Sequence, residues 1–300
     1  MVYGLALMTL LATPRAATIE PPLYDRMFRR LERARWQLSD IPFDRIENER
    51  LSPRLTTVVR VNCLMELSSL YATRMFLRDF RELPDFCQFI SIWYYEEMKH
   101  YLVLRRYLES IGPAPVPAEN PELDTELAPS PWAPTLALHF CGEMRLGMWY
   151  HRWSDVIAEP VLAGIYRRIG DDEFRHAACY RDFMADSLRR QPELILDYLQ
   201  AAKWMLVDTV GDKHPTTMRA DAAGEAAVTD RIEGYETLLG WIRETVEEEQ
   251  EVELRRRVLA TLSTLAGEPL AKLSDLAALT RRLKRSSAGN NAGDASRVVS

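Results

Sequence analysis

The chain has 300 residues, 47% of them hydrophobic and 27% charged, with 13 glycines and a formal net charge of −6. That balance suits long helices around a buried core, in one large domain or two, and with no basic stripe to offset the charge it gives no case for a nucleic-acid partner. The four cysteines, Cys63, Cys87, Cys141 and Cys179, include no CxxC pair, so they read as reduced, buried thiols of a cytoplasmic protein rather than disulfides or a rubredoxin-type centre.

Residues 1–12 are apolar from Leu5 to Leu11, but the stretch is too short to span a membrane and lacks the basic flank of a signal peptide. It is expected to pack as a helix on the body of the protein, within an N-terminal segment covering residues 1–52. Leu23 to Trp36 reads as an Arg-rich amphipathic helix, with Met27, Leu31 and Ala34 on one side. Two long helices are predicted at about 53–80 and 84–111, with Pro84 opening the second and Gly112 ending it. Prolines then crowd residues 113–131, favouring extended geometry at ~3.1 Å per residue, so that this stretch can cover ~60 Å. Further helices are predicted at about 132–158 and 160–190, separated by Ala158-Glu159-Pro160, and Pro192 opens a fifth that runs to about 210. The unit 53–211 is followed by a polar turn at 211–215, by one or two amphipathic helices within 225–266 in a C-terminal helical region (212–285), and by a Gly/Ser/Asn/Ala-rich tail over 286–300 that reads as disordered.

Two motifs fall on these helices at the same spacing. Glu97-x-x-His100 and Glu173-x-x-His176 each put a carboxylate and an imidazole at i and i+3, on one face and about one turn apart. Glu66 and Glu143 are isolated acids on apolar stretches, and a lone charge there must be paired (Arg60 and Arg145 are the nearest candidates), protonated or bound to a metal. If Glu66 and Glu97 face each other across a hairpin, its turn should fall near residue 81 or 82, just before Pro84. For Glu143 and Glu173 it should fall near 158, just before Pro160. Both breaks sit where a common metal level requires them. Such a set, one Glu on each of two helices and Glu-x-x-His on each of two others, is that of a carboxylate-bridged di-metal site.

These six residues, in the acid-Glu-x-Arg/Lys-His context and with Trp93 before the first pair, resemble the ferritin-like di-iron carboxylate proteins, and among them most the soluble acyl-carrier-protein desaturases. The resemblance covers roughly residues 36 to 210. It implies an all-α, ferritin-like four-helix bundle with a long crossover between its second and third helices, and extra helices at both ends. By this resemblance Glu66 and His100 would be terminal ligands of one ion, Glu143 and His176 of the other, while Glu97 and Glu173 would bridge and stand closest to the chemistry. Asp172 would hold His100, Glu96 would hold His176, and Lys99 and Arg175 would neutralise these outer acids. Four carboxylates offset two divalent ions. The donor set favours two iron ions, leaves manganese or a mixed Fe/Mn pair open, and implies O2 as co-substrate.

The expected activity is that of an O2-dependent oxidase or oxygenase desaturating or hydroxylating an apolar or carrier-tethered substrate. An N-oxygenase and a non-catalytic ferroxidase or metal-binding protein are the alternatives. A long apolar tunnel would favour desaturation, a short polar-lined pocket the oxygenases. Leu104 occupies the place where ribonucleotide reductase subunits carry a radical tyrosine, which leaves Tyr180 as the nearest equivalent. Leu146 and Gly147 stand where related oxygenases carry a proton-handling threonine. Gly142, Gly147 and Gly170 lie beside the ligands, leaving room for substrate or O2, or for close helix packing. His139 is a candidate extra ligand or outer group, whereas His151 and His214 are expected at the surface or as helix caps. No flavin, nicotinamide or cysteine-cluster motif is present, so electrons should come from a separate donor. The Arg-rich helix bearing Arg29, Arg30, Arg33 and Arg35 reads first as a solvated face, with docking of an acidic carrier as the alternative. No membrane association is expected, and a homodimer is compatible with the sequence.

Overall fold

A computed structural model describes residues 22–112, 127–208, 214–223 and 232–295. Residues 1–12, most of the proline-rich stretch and the turn at 211–213 lie outside the described residues. No described helix is long and apolar enough to cross a membrane.

Helix α1 spans Leu23–Ala34 and buries Met27 and Leu31, but not Ala34, the last residue of the helix. The helix predicted over 53–80 is two helices, α2 (Pro53–Leu67) and α3 (Ser69–Asp79). Pro53 fits the first turn, where no N–H partner is needed, and the Ser52 side chain accepts from Leu55 N at 3.1 Å. The interruption is Ser68, whose hydroxyl donates to the Met65 carbonyl at 2.5 Å and so competes with the backbone ladder. Helix α4 (Pro84–Ile111) returns antiparallel to α2. Helices α5 (Trp132–Val156) and α6 (Pro160–Arg190) form the second hairpin. The start of α6 is capped from inside the core. Glu159 is fully buried, its carboxylate accepting from Val161 N (3.2 Å), Leu162 N (2.7 Å) and the Tyr107 hydroxyl (2.8 Å).

These contacts fix the chain direction. Tyr107, near the end of α4, meets Glu159 at the start of α6. At the other end Arg78 donates to the Leu127 carbonyl at 2.7 Å, and Ser130 N to Asp79 at 3.2 Å. Residues 112 and 127 therefore lie at opposite ends of the bundle, α4 and α5 run parallel, and a 28-residue helix of about 42 Å separates those ends. A long crossover between the hairpins is required.

The remaining helices coat this core. After a 3₁₀ turn at Pro192–Leu194, the predicted fifth helix is α7 (Ile195–Lys203), packed on α5, followed by one π-helical turn at Trp204–Asp208. Helix α8 (Pro215–Ala223) follows, a helix the polar composition did not suggest. Helix α9 (Tyr235–Thr245) lies on α2, and α10 (Glu248–Ala266) on α5 and α6. Helix α11 (Leu273–Ala295) packs on α7 through buried Leu276, Leu279 and Thr280, and continues past residue 286, where the sequence reads as disordered. Once a helix is anchored by such contacts, each further residue adds a backbone bond without a new nucleation cost.

The interior glycines are explained by close packing. A Cβ on Gly170 would lie 2.5 Å from His151 Cδ2 and 3.1 Å from the Gly147 carbonyl, and one on Gly147 would lie 2.8 Å from the Phe174 ring. Gly164, further up α6, has nothing within 4 Å. Gly170→Ala is expected to destabilise the protein by about 1–3 kcal/mol through overpacking. Gly164→Ala should be neutral or stabilising by up to ~1 kcal/mol from helix propensity alone. Thermal melts of the two variants check the contrast; equal melting temperatures would contradict the packing account.

Candidate metal centre

The four central helices bring the six predicted donors into one buried chamber. Glu66 comes from α2, Glu97 and His100 from α4, Glu143 from α5, and Glu173 and His176 from α6. They form two overlapping groups, Glu66–Glu97–His100–Glu173 and Glu97–Glu143–Glu173–His176, each with ligand atoms within 4.8 Å of one another. Glu97 and Glu173 belong to both. His100 Nδ1 faces Glu173 (3.6 Å), Glu66 (3.7 Å) and Glu97 (3.9 Å), and His176 Nδ1 faces Glu97 (3.2 Å), Glu173 (3.3 Å) and Glu143 (4.0 Å). Both imidazoles thus aim the same nitrogen inward.

Their outer nitrogens are held across the bundle. His100 Nε2 lies 3.1 Å from Asp172, and His176 Nε2 lies 2.9 Å from Glu96. Lys99 (3.4 Å) and Arg175 both pair with Asp172, rather than dividing between the two acids, and the cation nearest Glu96 is Arg35 at 4.0 Å. The Asp172 oxygen on His100 also accepts from Trp36 Nε1 at 2.6 Å, so the loop after α1 closes the outer face of the site. Arg60 and Arg145 do not pair with the nearby glutamates. Arg60 reaches Glu233 at 3.5 Å, and Arg145 donates to the Met205 carbonyl at 2.9 Å.

Sequence reasoning missed the residues that orient the carboxylates. Glu66 Oε1 accepts from Tyr150 (2.5 Å) and Asn62 (3.1 Å), which also bonds the Tyr150 hydroxyl at 2.9 Å. Glu143 Oε1 accepts from Trp93 Nε1 at 3.2 Å. Asn62 lies one turn before Glu66, and Tyr150 two turns after Glu143, so each shares a helix face with a ligand. That register was the available signal.

No protein-family model matches the sequence, and no curated protein matches it. Among solved structures, the R2-like ligand-binding oxidase from Sulfolobus acidocaldarius superposes with a TM-score of 0.51 at 17% identity, over 82% of this chain and 92% of that chain. The fold is ferritin-like. At this identity the likeness concerns the fold alone, and it lends no support to the desaturase subtype that the motif context resembles.

The electrostatics of this ferritin-like bundle suit divalent cations. Burial, and then the charge of Glu143, push the Glu97 carboxyl up to about 7 despite bonding to His176. Burial and the charges of Glu97 and Glu143 raise Glu173 well above the carboxylate range. Burial opposes charge on His100, yet bonds to Asp172 and Glu66 and the charge of Glu97 outweigh it and push the ring up to about 9. His176 is raised likewise, against burial, by bonds to Glu173, Glu96 and Glu97. Asp172 behaves oppositely: burial is overcome by the bond to and charge of His100, with Lys99 and Arg175, and its carboxyl falls far below the usual range. Apart from the inward-facing contacts among the six donors, Glu97 Oε1, Glu173 Oε1 and His100 Nδ1 are buried and make no well-aligned hydrogen bond, as atoms reserved for a metal would be.

A cavity of about 90 Å³ opens onto Glu66, Glu97 and Glu143. Its lining is mainly apolar, with Met65, Leu146, Leu238 and Ile242 beside Trp93, Trp149, Tyr150 and Trp153, and includes Ser68 and Ser69 at the α2–α3 break and Thr216 and Thr217 on α8. His214, expected at the surface or as a cap, does cap α8, its Nδ1 accepting from Thr216 N at 3.3 Å, and lines the same cavity because α8 folds it back against α5. His151 is half-buried and bonds Asp171 at 2.9 Å. The four cysteines are free thiols, three of them buried and Cys87 partly so.

Proposed function

We propose that the chain is an O2-dependent di-metal oxygenase, with iron, manganese or one of each bound by the six donors, acting on a compact organic substrate that enters the cavity beside Glu66, Glu97 and Glu143. The observation that carries this reading is the sharing of Glu97 and Glu173 between two complete donor groups next to that cavity. When bound, two redox-active ions supply electrons to O2. Glu97 and Glu173, common to both groups, would be shared by the two ions, with Glu66 and His100 completing the set for one and Glu143 and His176 for the other. Asp172 and Glu96 fix the imidazoles with Nδ1 inward. Tyr150, Asn62 and Trp93 keep Glu66 and Glu143 from swinging away.

The walls select the substrate class. A small cavity lined mainly by aromatic and aliphatic side chains, with a few polar groups beside Glu66, Glu97 and Glu143, suits a compact, largely apolar molecule better than an extended acyl chain. Thr216 and Thr217, which border the cavity, offer hydroxyls for handling protons, a task for which α5 itself offers only Leu146 and Gly147. Hydroxylation or N-oxygenation therefore fits better than desaturation. Electrons come from a separate donor protein.

The test is O2 uptake by protein reduced in the presence of Fe(II), measured with small phenols and aromatic amines and, in parallel, with acyl thioesters. Uptake accelerated by the compact substrates with formation of an oxygenated product is expected. Acceleration by acyl thioesters alone would restore the desaturase reading, and uptake that leaves every organic compound unchanged would make the protein a ferroxidase.

A further inference from the structure

His139 lies one turn before Glu143 on α5 and is fully buried. A neutral imidazole carries one N–H and one lone pair, yet neither ring nitrogen of His139 has a hydrogen-bond partner. Its neighbours are the rings of Phe76 (centroids 4.6 Å apart), His214 (5.1 Å) and Tyr180 (5.7 Å). A histidine placed so deep among aromatic rings with both nitrogens idle needs an occupant to justify it.

The second imidazole arrives from far along the chain. His214 precedes α8 and sits on α5 at Gly142, where a Cβ would lie 3.0 Å from His214 Cδ2, 3.1 Å from its Nε2 and 2.8 Å from Pro215 Cδ. Glycine at 142 is what lets this ring approach. His214 Nδ1 accepts from Thr216 N at 3.3 Å, which leaves Nε2 as a buried atom without a partner. Ligand atoms of His139, His214 and Glu143 lie within 4.8 Å of one another, and His214 and Glu143 both border the cavity.

We propose that His139, His214 and Glu143 form a third divalent-cation site, sharing Glu143 with the metal pair and keeping open coordination positions toward the cavity. Two imidazoles and a carboxylate form a donor set suited to Fe, Mn, Co or Zn, and three protein ligands leave room for water, hydroxide or an anionic group of a substrate. The two oxygens of Glu143 have lone pairs enough for an ion on each side. An anionic ligand from the cavity also offsets charge, since the four carboxylates of the chamber already balance two divalent ions. Because Glu143 is shared, the site rests in part on the di-metal reading.

The test is metal counting on the full-length protein, stripped with chelator, reloaded anaerobically with Co(II) and separated from free ion. Three ions per chain are expected for the wild type, and two for His139→Phe and for His214→Gln. Phe at 139 suits its aromatic cage. His214→Gln, at the half-buried entry to α8, carries the test should the core variant not fold. Two ions in the wild type and in both variants, or three retained in the variants, would overturn the third site while leaving the pair intact. One ion in the wild type that disappears in the variants would support this site and remove the pair.

Discussion

Glu97→Gln is expected to lose both ions of the pair, whereas Glu66→Gln should weaken only one. Glu97 belongs to both donor groups and Glu66 to one. Losses of at least 100-fold in affinity are expected for Glu97→Gln, beyond the 10–100-fold typical of residues that merely orient a ligand. The same substitution should have the opposite effect on the metal-free protein. Folding holds the Glu97 carboxyl at about 7, above its unfolded value, so its contribution is complete below about pH 4.5 and is lost as pH rises through 7. At pH 8 the ionised side chain costs the metal-free fold roughly 3 kcal/mol, which the neutral amide avoids. Metal-free Glu97→Gln should then melt roughly 5 °C above metal-free wild type. Added Mn(II) should reverse the order, because ligand binding stabilises only a chain that can hold it. If both proteins respond equally to Mn(II), Glu97 is not a ligand.

Affinity for the pair should rise steeply between about pH 6.5 and 9. The His100 ring is pushed up to about 9, and His176 is raised in the same sense, so both bind protons more tightly folded than unfolded. That stabilisation of the metal-free protein is present below the unfolded value near 6.5 and disappears as pH climbs through about 9. An ion at either Nδ1 must displace the proton, so each displaced proton contributes up to about tenfold in affinity per pH unit. Chelator competition with Mn(II) at pH 7 and pH 9 should differ by well over tenfold. Calorimetry in buffers of different ionisation enthalpy should register proton release. A flat profile would mean that the imidazoles do not bind the metal. Across the same window the metal-free protein should lose melting temperature while the loaded protein holds it.

What could be read from the sequence is the part whose signal is local. Glu-x-x-His declares itself within one turn, Glu66 and Glu143 stand out as charges on apolar stretches, and Pro84 and Pro160 mark the hairpin turns. Those features give the four central helices, their pairing and the six donors. What escaped depends on partners far apart in the chain. Nothing near Trp36 indicates that its indole will meet Asp172, and nothing near His214 indicates that it will fill the space over Gly142. Ser68 breaks α2 from α3 by a side-chain bond to Met65 that a helix-tolerant serine does not advertise. Glu159 shows in the sequence only as part of the break before Pro160, yet it is the buried cap of α6 because Tyr107 from the other hairpin completes its bonding.

The crossover has an implication for how the molecule assembles. Each hairpin brings one glutamate and one Glu-x-x-His, half of the inward-facing set, and neither half can enclose a cation alone. The two halves are approximate copies of one pattern, brought face to face as in a dimer whose subunits share a tether. Before they dock, each leaves carboxylates on a greasy flank. Cations held by the six donors would act as a clasp between repeated units, and the chain between residues 112 and 127 keeps both halves of that clasp in one molecule.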